Sequence, residues 1–273
     1  MDMSPSQNKT KKAKQIIRVE VIADQHCEAL SEIGDLYFWA ERYEEAILNY
    51  QKALELNPNM EDTLYNLGKV YFKITDYQKS VEALVNASKL APKNVTVLRF
   101  LAIAYYYQGD MLMSVETYKK CLKLQPDDLE INVELALIYL HNLKNLHEAE
   151  KCFKKCIQLN AERVDLYRNL LQIYQQLNKH KDVFNICMIL GDLYLKKSDP
   201  ENARNAFTTA LYLNPKNAEA HWKLGLAMHL LGHYDLAIIS CQYGLGKLRY
   251  NYANKLIPDF VHPSSDSTVN GKR

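Results

Sequence analysis

Apolar side chains in this chain return to one face at helical spacing, and the whole pattern then returns 34 residues later. In 27–60, Leu30, Ile33 and Tyr37 sit at i, i+3 and i+7, the spacing that lines one side of a helix. Gly34 lies beside the second of them, and Ala46, Tyr50 and Ala53 continue a stripe on a second helix that Pro58 closes. Segment 61–94 places Leu64, Leu67, Gly68, Tyr71, Ser80, Leu84, Ala87 and Pro92 at the same positions. Segment 95–128 places Leu98, Leu101, Ala102, Tyr105, Ser114, Tyr118, Cys121 and Pro126 there. Each position keeps its bulk, so the pattern predicts helix pairs in which a small residue lets two backbones approach. Residue type at a small position is constrained accordingly: enlarging Ala53 is expected to cost about 1–3 kcal/mol by overpacking.

Later copies drift but stay in phase. Segment 129–163 carries Leu135, Ala136, Tyr139, Ala149, Phe153 and Cys156; it is one residue long around His141–His147, and Ala161 stands at its Pro position. Segment 184–217 is regular, with Gly191, Tyr194, Ala203 and Phe207, and 218–251 holds Gly225, Met228, Ala237 and Cys241 with Gly244 where Ala is usual. Segment 164–183 is irregular. Two full repeats need 68 residues and 164–217 supplies 54, so one helix is missing. A single helix over about 180–197 is expected to serve both neighbours, with a change of path and a joint between 27–183 and 184–250.

The residues IGDLYF, LGKVYF and LGDLYL, with YQKALELNP and FTTALYLNP, resemble the tetratricopeptide repeat family over roughly 27–250. The resemblance implies an all-α, right-handed superhelical solenoid of antiparallel helix pairs, with six to seven repeats and an irregular one near 164–197. Around it, 1–26 reads as a basic tail and lead-in helix, 247–257 as a capping helix, and 252–273 as the cap remnant and a disordered tail.

In this family the first helix of each pair lines a concave face that binds peptides. Its inward positions fall here on Asp35, Phe38, Trp39, Tyr65, Lys69, Phe72, Lys73, Arg99, Ile103, Tyr106, Tyr107 and, in the last repeat, Trp222. Rigid aromatics beside Lys and Arg are what binding hot spots are made of. The family's chaperone-tail clamp requires a Lys, two Asn, a further Lys and an Arg; those positions hold Ser31, Asp35, Asn66, Thr96 and Phe100, which argues against a chaperone C-terminal tail as partner. An asparagine ladder of the kind found in substrate-recognition arms is reduced to Asn66 and Asn169.

Composition adds exclusions. A net charge of +2 opposes nucleic-acid binding through the whole domain. The one basic run is Lys9, Lys11, Lys12 and Lys14. No run of 18 or more apolar residues exists, which argues against a transmembrane segment, and no long apolar stretch follows the basic start. Six Cys then read as reduced thiols in a cytoplasmic setting. Cys152 and Cys156 share a helix face near His147, but Cys156 falls in a small core position, so packing is favoured over metal. No phosphate loop, nucleophile elbow or paired-carboxylate motif appears. The expected function is therefore a non-enzymatic adaptor or scaffold without cofactor that holds a peptide segment of a partner protein. The alternative is a homo-oligomeric scaffold, as in related arrays that coat organelles.

Overall fold

A computed structural model describes residues 25–246, and every regular element within them is helical. The lead-in up to residue 24, the basic run, the capping segment 247–257 and the tail lie outside the described residues. The helices are α1 (25–39), α2 (Tyr43–Leu56), α3 (Glu61–Lys73), α4 (Tyr77–Leu90), α5 (Val95–Gln108), α6 (Met111–Leu124) and α7 (Leu129–Leu137). They continue with α8 (Leu146–Leu159), α9 (Val164–Gln176), α10 (His180–Lys196), α11 (Pro200–Leu213), α12 (Ala218–Leu230) and α13 (Tyr234–Gly244). The chain is an all-α solenoid that divides into two compact units after Ile131. In the first, α2 packs on α3, α3 on α4, α4 on α5 and α5 on α6; in the second, consecutive helices from α8 to α13 pack in the same way.

One contact holds each regular pair together. A Cβ placed on Gly34 would stand 2.6 Å from the ring of Tyr50, and one on Gly68 would stand 2.6 Å from Leu84 Cγ. Gly191 meets Phe207 and Gly225 meets Cys241 in the same way, always 16 residues on. The first helix thus offers bare backbone to the bulk of the second. Where Ser replaces Ala on the second helix, its buried hydroxyl is satisfied at the same crossing: Ser80 Oγ donates to the Gly68 carbonyl and Ser114 Oγ to the Ala102 carbonyl, both at 2.8 Å. Between pairs, Leu67, Val70 and Tyr71 of α3 close over Ala46 and Tyr50 of α2.

The turns within pairs repeat one hydrogen-bond scheme. The carbonyl at the Tyr position accepts from the N–H five residues on: Arg42 N–H to Tyr37, Asp76 to Tyr71, Asp110 to Tyr105, Lys179 to Tyr174 and Asp199 to Tyr194, at 2.9 Å throughout. This is a Schellman closure, and the residue before each donor takes the left-handed conformation. Gly109 fills that place in one turn and Gly232, before the His233 N–H to Met228 carbonyl bond, in another, but Glu41, Thr75, Asn178 and Ser198 do so elsewhere with φ of 53–64°. Aspartate or asparagine then opens several of the next helices: Asp76 accepts from Lys79 N–H, Asp110 from Met113 N–H and Asp199 from Asn202 N–H. Between pairs, the residue before each Pro position leaves the helical region, with φ of −125 to −137° at Asn57, Ala91 and Gln125. Asn160 does the same before Ala161 (φ −149°), so the missing proline leaves this turn intact.

The extra residue of 129–163 is absorbed as a π turn over Ile138–Asn142, where Leu143 N–H reaches the Ile138 carbonyl at 3.0 Å. The closing bond then spans six residues, from Asn145 N–H to the Tyr139 carbonyl, and Lys144 takes the left-handed place. The irregular repeat near 164–197 is built on α10, which runs 17 residues where α4 and α11 run 14. It packs on both α9 and α11. The position 183/184, where a joint was expected, lies inside this helix, and the division between compact units lies at 131/132.

Outside the periodic contacts, Glu150 of α8 forms an ion-pair knot in the second unit. Lys154 Nζ and Lys179 Nζ stand 2.7 and 2.8 Å from its oxygens, and the Tyr174 hydroxyl donates to it at 3.3 Å. Burial pushes the Glu150 carboxyl up, but the two lysine hydrogen bonds and their charges outweigh it and hold its pKa at about 2.

Three outcomes follow. Gly68→Ala is expected to destabilise by about 1–3 kcal/mol in denaturant melts, because Leu84 is fully buried and cannot withdraw. Thr75→Gly is expected to stabilise by about 0.5–1 kcal/mol, since a β-branched residue there holds φ at 64°. The Glu150 carboxyl titrates lower when folded than its ordinary 4.5, so its contribution is complete above that value and is lost as pH falls toward 2. The parent should lose on the order of 2–3 kcal/mol over that window, and Glu150→Gln should flatten that part of the stability–pH curve.

Candidate functional site

The first helices of the first unit carry aromatic, basic and apolar side chains at one-face spacing. Tyr65, Lys69 and Phe72 lie at i, i+4 and i+7 of α3, and Phe100, Ile103 and Tyr107 at i, i+3 and i+7 of α5. Six rings form a connected surface across these helices. Tyr65 meets Phe100 (5.8 Å between centroids), Phe100 meets Phe72 (5.2 Å), and Phe72 meets Tyr107 (5.1 Å) and Tyr77 (5.3 Å). Tyr107 in turn meets Tyr106 at 5.4 Å. Most of these pairs are T-shaped or tilted, the arrangement the ring quadrupoles favour. A second group sets Phe38 against Trp39 (5.6 Å) and Tyr43 (6.0 Å).

Lys69 joins the two groups. Its ammonium stands 5.1 Å from the Phe38 ring and 5.4 Å from the Tyr65 ring, within cation–π range of both. Behind it runs a polar relay. The Tyr50 hydroxyl donates to Asp35 Oδ1 at 2.5 Å, Asn66 Nδ2 donates to the same oxygen at 2.9 Å, and Asn66 Oδ1 faces Lys69 Nζ at 3.4 Å. The Asp35 carboxylate thereby fixes the amide of Asn66 and turns its oxygen toward the lysine. Asp35 is engaged inside the fold, which is a packing duty the sequence did not announce. Burial pushes the phenol of Tyr65 above its ordinary range, and that of Tyr50 is raised by burial and by Asp35.

Trp39 (78 % exposed) and Tyr107 (54 %) present ring faces to solvent, while Phe38, Tyr65, Phe72 and Tyr106 are half-buried. Arg99 and Ile103 are half-buried and Lys73 is exposed. Trp222 belongs to the second unit, where it lines an apolar cleft of about 480 Å³ between α12 and α13. Phe100 and Tyr77 were not among the sequence-selected residues. A signal for Tyr77 existed: Tyr43, Tyr77 and Tyr234 recur at the first position of their helices.

Cys27, Cys121, Cys156 and Cys187 are buried, and Cys152 and Cys241 are half-buried. Burial pushes the Cys156 thiol up to about 12 and the Cys187 thiol up to about 11, which suppresses the thiolate that nucleophilic or metal chemistry requires. Among the described residues no group of three or more His, Cys, Asp or Glu side chains could hold a metal ion. No helix of the described residues is long and apolar enough to cross a membrane.

Comparison with known proteins places this architecture. A family model described as TPR repeat matches residues 34–74 and 191–232, and models described as tetratricopeptide repeat match 65–128 and 129–163. No curated protein matches the chain. Among solved structures, a tetratricopeptide repeat protein from Parabacteroides merdae ATCC 43184 is similar with a TM-score of 0.55 at 18% identity, over 87% of this chain and 99% of that one. The crystal structure of MamA is similar with a TM-score of 0.55 at 20% identity, over 61% of this chain and 96% of its own. Those identities speak to the fold alone. The repeat models together span more than half of the sequence, and on them the chain belongs to the tetratricopeptide repeat family.

Proposed function

We propose that this chain is a non-catalytic protein-binding scaffold whose first unit holds a segment of a partner protein against its aromatic surface. The observation that carries this reading is the Lys69 ammonium set between Phe38 and Tyr65 beside a wall of six rings. Rings already held by their neighbours lose little side-chain entropy on binding, which is why aromatic anchors dominate interface energetics. Apolar side chains of the partner lie against Phe72, Tyr106 and Tyr107. A carboxylate or carbonyl of the partner meets Lys69, which makes no ion pair among the described residues. The family supports a role in protein–protein interaction, and such a role needs neither cofactor nor metal. Placement in the cytoplasm goes with it as part of the proposal.

The test is quantitative affinity capture on the full chain, with the parent compared to a Tyr106→Ala/Tyr107→Ala double variant and to Lys69→Ala. Partners held by the groove should fall about tenfold or more in recovery with the double variant, the loss expected when an interface anchor is truncated. Lys69→Ala should reduce capture less and should weaken its salt dependence. Circular-dichroism melts serve as the folding control. Unchanged recovery with well-folded variants would remove these residues from the binding surface.

A further inference from the structure

The two ends of the described chain carry surfaces that correspond, position by position, to the two sides of the contact between its first two repeats. Between the first and second repeats, the α1–α2 pair accepts α3: Leu67, Val70 and Tyr71 pack on Ala46 and Tyr50, with Tyr43, Ile47 and Leu54 at the edge. Gln51 Nε2 also donates to the Tyr71 hydroxyl at 3.1 Å. At a constant offset of 191 residues, the last pair repeats this accepting surface: Tyr43, Ala46, Ile47, Gln51 and Leu54 become Tyr234, Ala237, Ile238, Gln242 and Leu245. All five line the cleft of about 480 Å³ between α12 and α13. Cys241 also lines it, at the position where other pairs hold Tyr50, Leu84 or Phe207.

The opposite face stands on α1. Leu64, Leu67, Val70 and Tyr71, the residues α3 inserts, correspond 34 residues earlier to Leu30, Ile33, Leu36 and Tyr37. At the position of Leu36 in other repeats, Val70, Ala104 and Ala227 are 0 % exposed and Leu193 is half-buried. Leu36 in the same position is 70 % exposed and Ile33 is 40 % exposed. Two exposed apolar side chains on the helix equivalent to α3, and an apolar cleft lined like the surface that receives α3, occur on one chain.

We propose that α1 of one copy docks into the α12–α13 cleft of a second copy, head to tail, rebuilding between molecules the interface that joins the first two repeats. The Tyr37 hydroxyl would accept from Gln242 as Tyr71 does from Gln51. Ala29, where Thr63 stands in the next repeat, leaves space for the indole of Trp222. The chain's own continuation is poorly suited to the cleft as an in-register helix. Continuing the repeat past 251 puts Pro258 at the central position that Leu or Ile holds in every other copy, and Lys255 three residues before it. Such a contact is heterologous: each copy uses one face and leaves the other open, so association continues with concentration into rings or open chains. This inference uses surfaces apart from the six-ring surface of the first unit and stands whether or not that surface binds a partner.

The experiment is sedimentation velocity with light scattering on the full chain across a hundredfold concentration range, with Leu36→Asp, Ile238→Asp and their equimolar mixture. Both side chains are more than half exposed, so each variant should keep the parent's melting profile. The parent's mean mass should rise with concentration. Each variant alone should stay monomeric, with association weakened on the order of 30-fold or more. The mixture should give a one-to-one dimer and nothing larger, because one intact cleft then meets one intact α1. A parent that is monomeric throughout overturns the proposal, and cross-links from 247–257 to the cleft would then assign it to the chain's own segment. A parent that associates while the mixture stays monomeric overturns the head-to-tail arrangement, since an isologous contact could not be repaired by complementation.

Discussion

The close approach of two helices at a residue without a side chain is the constraint on which the rest depends. With bare backbone at Gly34, Gly68 or Gly191, the bulk of Tyr50, Leu84 or Phe207 seats against the partner helix itself. That contact sets the separation within a pair, and the separation leaves the flank of each pair shaped to take the next first helix. Small residues are thus as informative as large ones. A glycine interior to a helix costs up to about 1 kcal/mol in propensity, and here the packing it permits outweighs that loss.

Confining the packing duties to one face of each first helix frees the other. On α3, Leu64, Leu67, Val70 and Tyr71 are buried, while Tyr65, Lys69 and Phe72 are only half-buried on the other side. The aromatic surface is therefore ordered by its own ring contacts and by the Asp35–Asn66 relay, and it remains available for contact. Ion pairs across repeats, such as Lys223 to Asp192 at 2.6 Å, reinforce the stacking. Lys196 to Glu162, with both side chains well exposed, contributes little. Apolar burial carries the array.

The architecture was legible because period, bulk and smallness all recur together, and because 54 residues cannot hold two complete pairs. The turns were not. Glycine marks the left-handed place at Gly109 but not at Glu41, Thr75, Asn178 or Ser198, so residue type conceals a conformation that hydrogen bonding imposes. The extra residue in 129–163 was visible in the spacing, yet its absorption as a π turn was not, since a helix and its following loop can each take up one residue. Glu150 escaped notice because its partner Lys179 lies 29 residues on, a separation unrelated to the repeat. In the groove, helical position put Phe38, Tyr65, Lys69 and Phe72 on one side. Phe100 and Tyr77 were overlooked because one stands at a position usually polar in the family and the other opens a second helix.

Helix α10 has a consequence of another kind. In a regular array each pair is a module that can fray, be lost or be duplicated while its neighbours keep their own two helices. Because α10 closes on α9 and on α11, neither module owns it. Melting one strips the other of half its partner surface, so this stretch gains or loses structure as a single cooperative block. Duplication or deletion here would have to take three helices at once. The shared helix therefore acts as a weld in an otherwise divisible chain, restricting where its length can change over evolution.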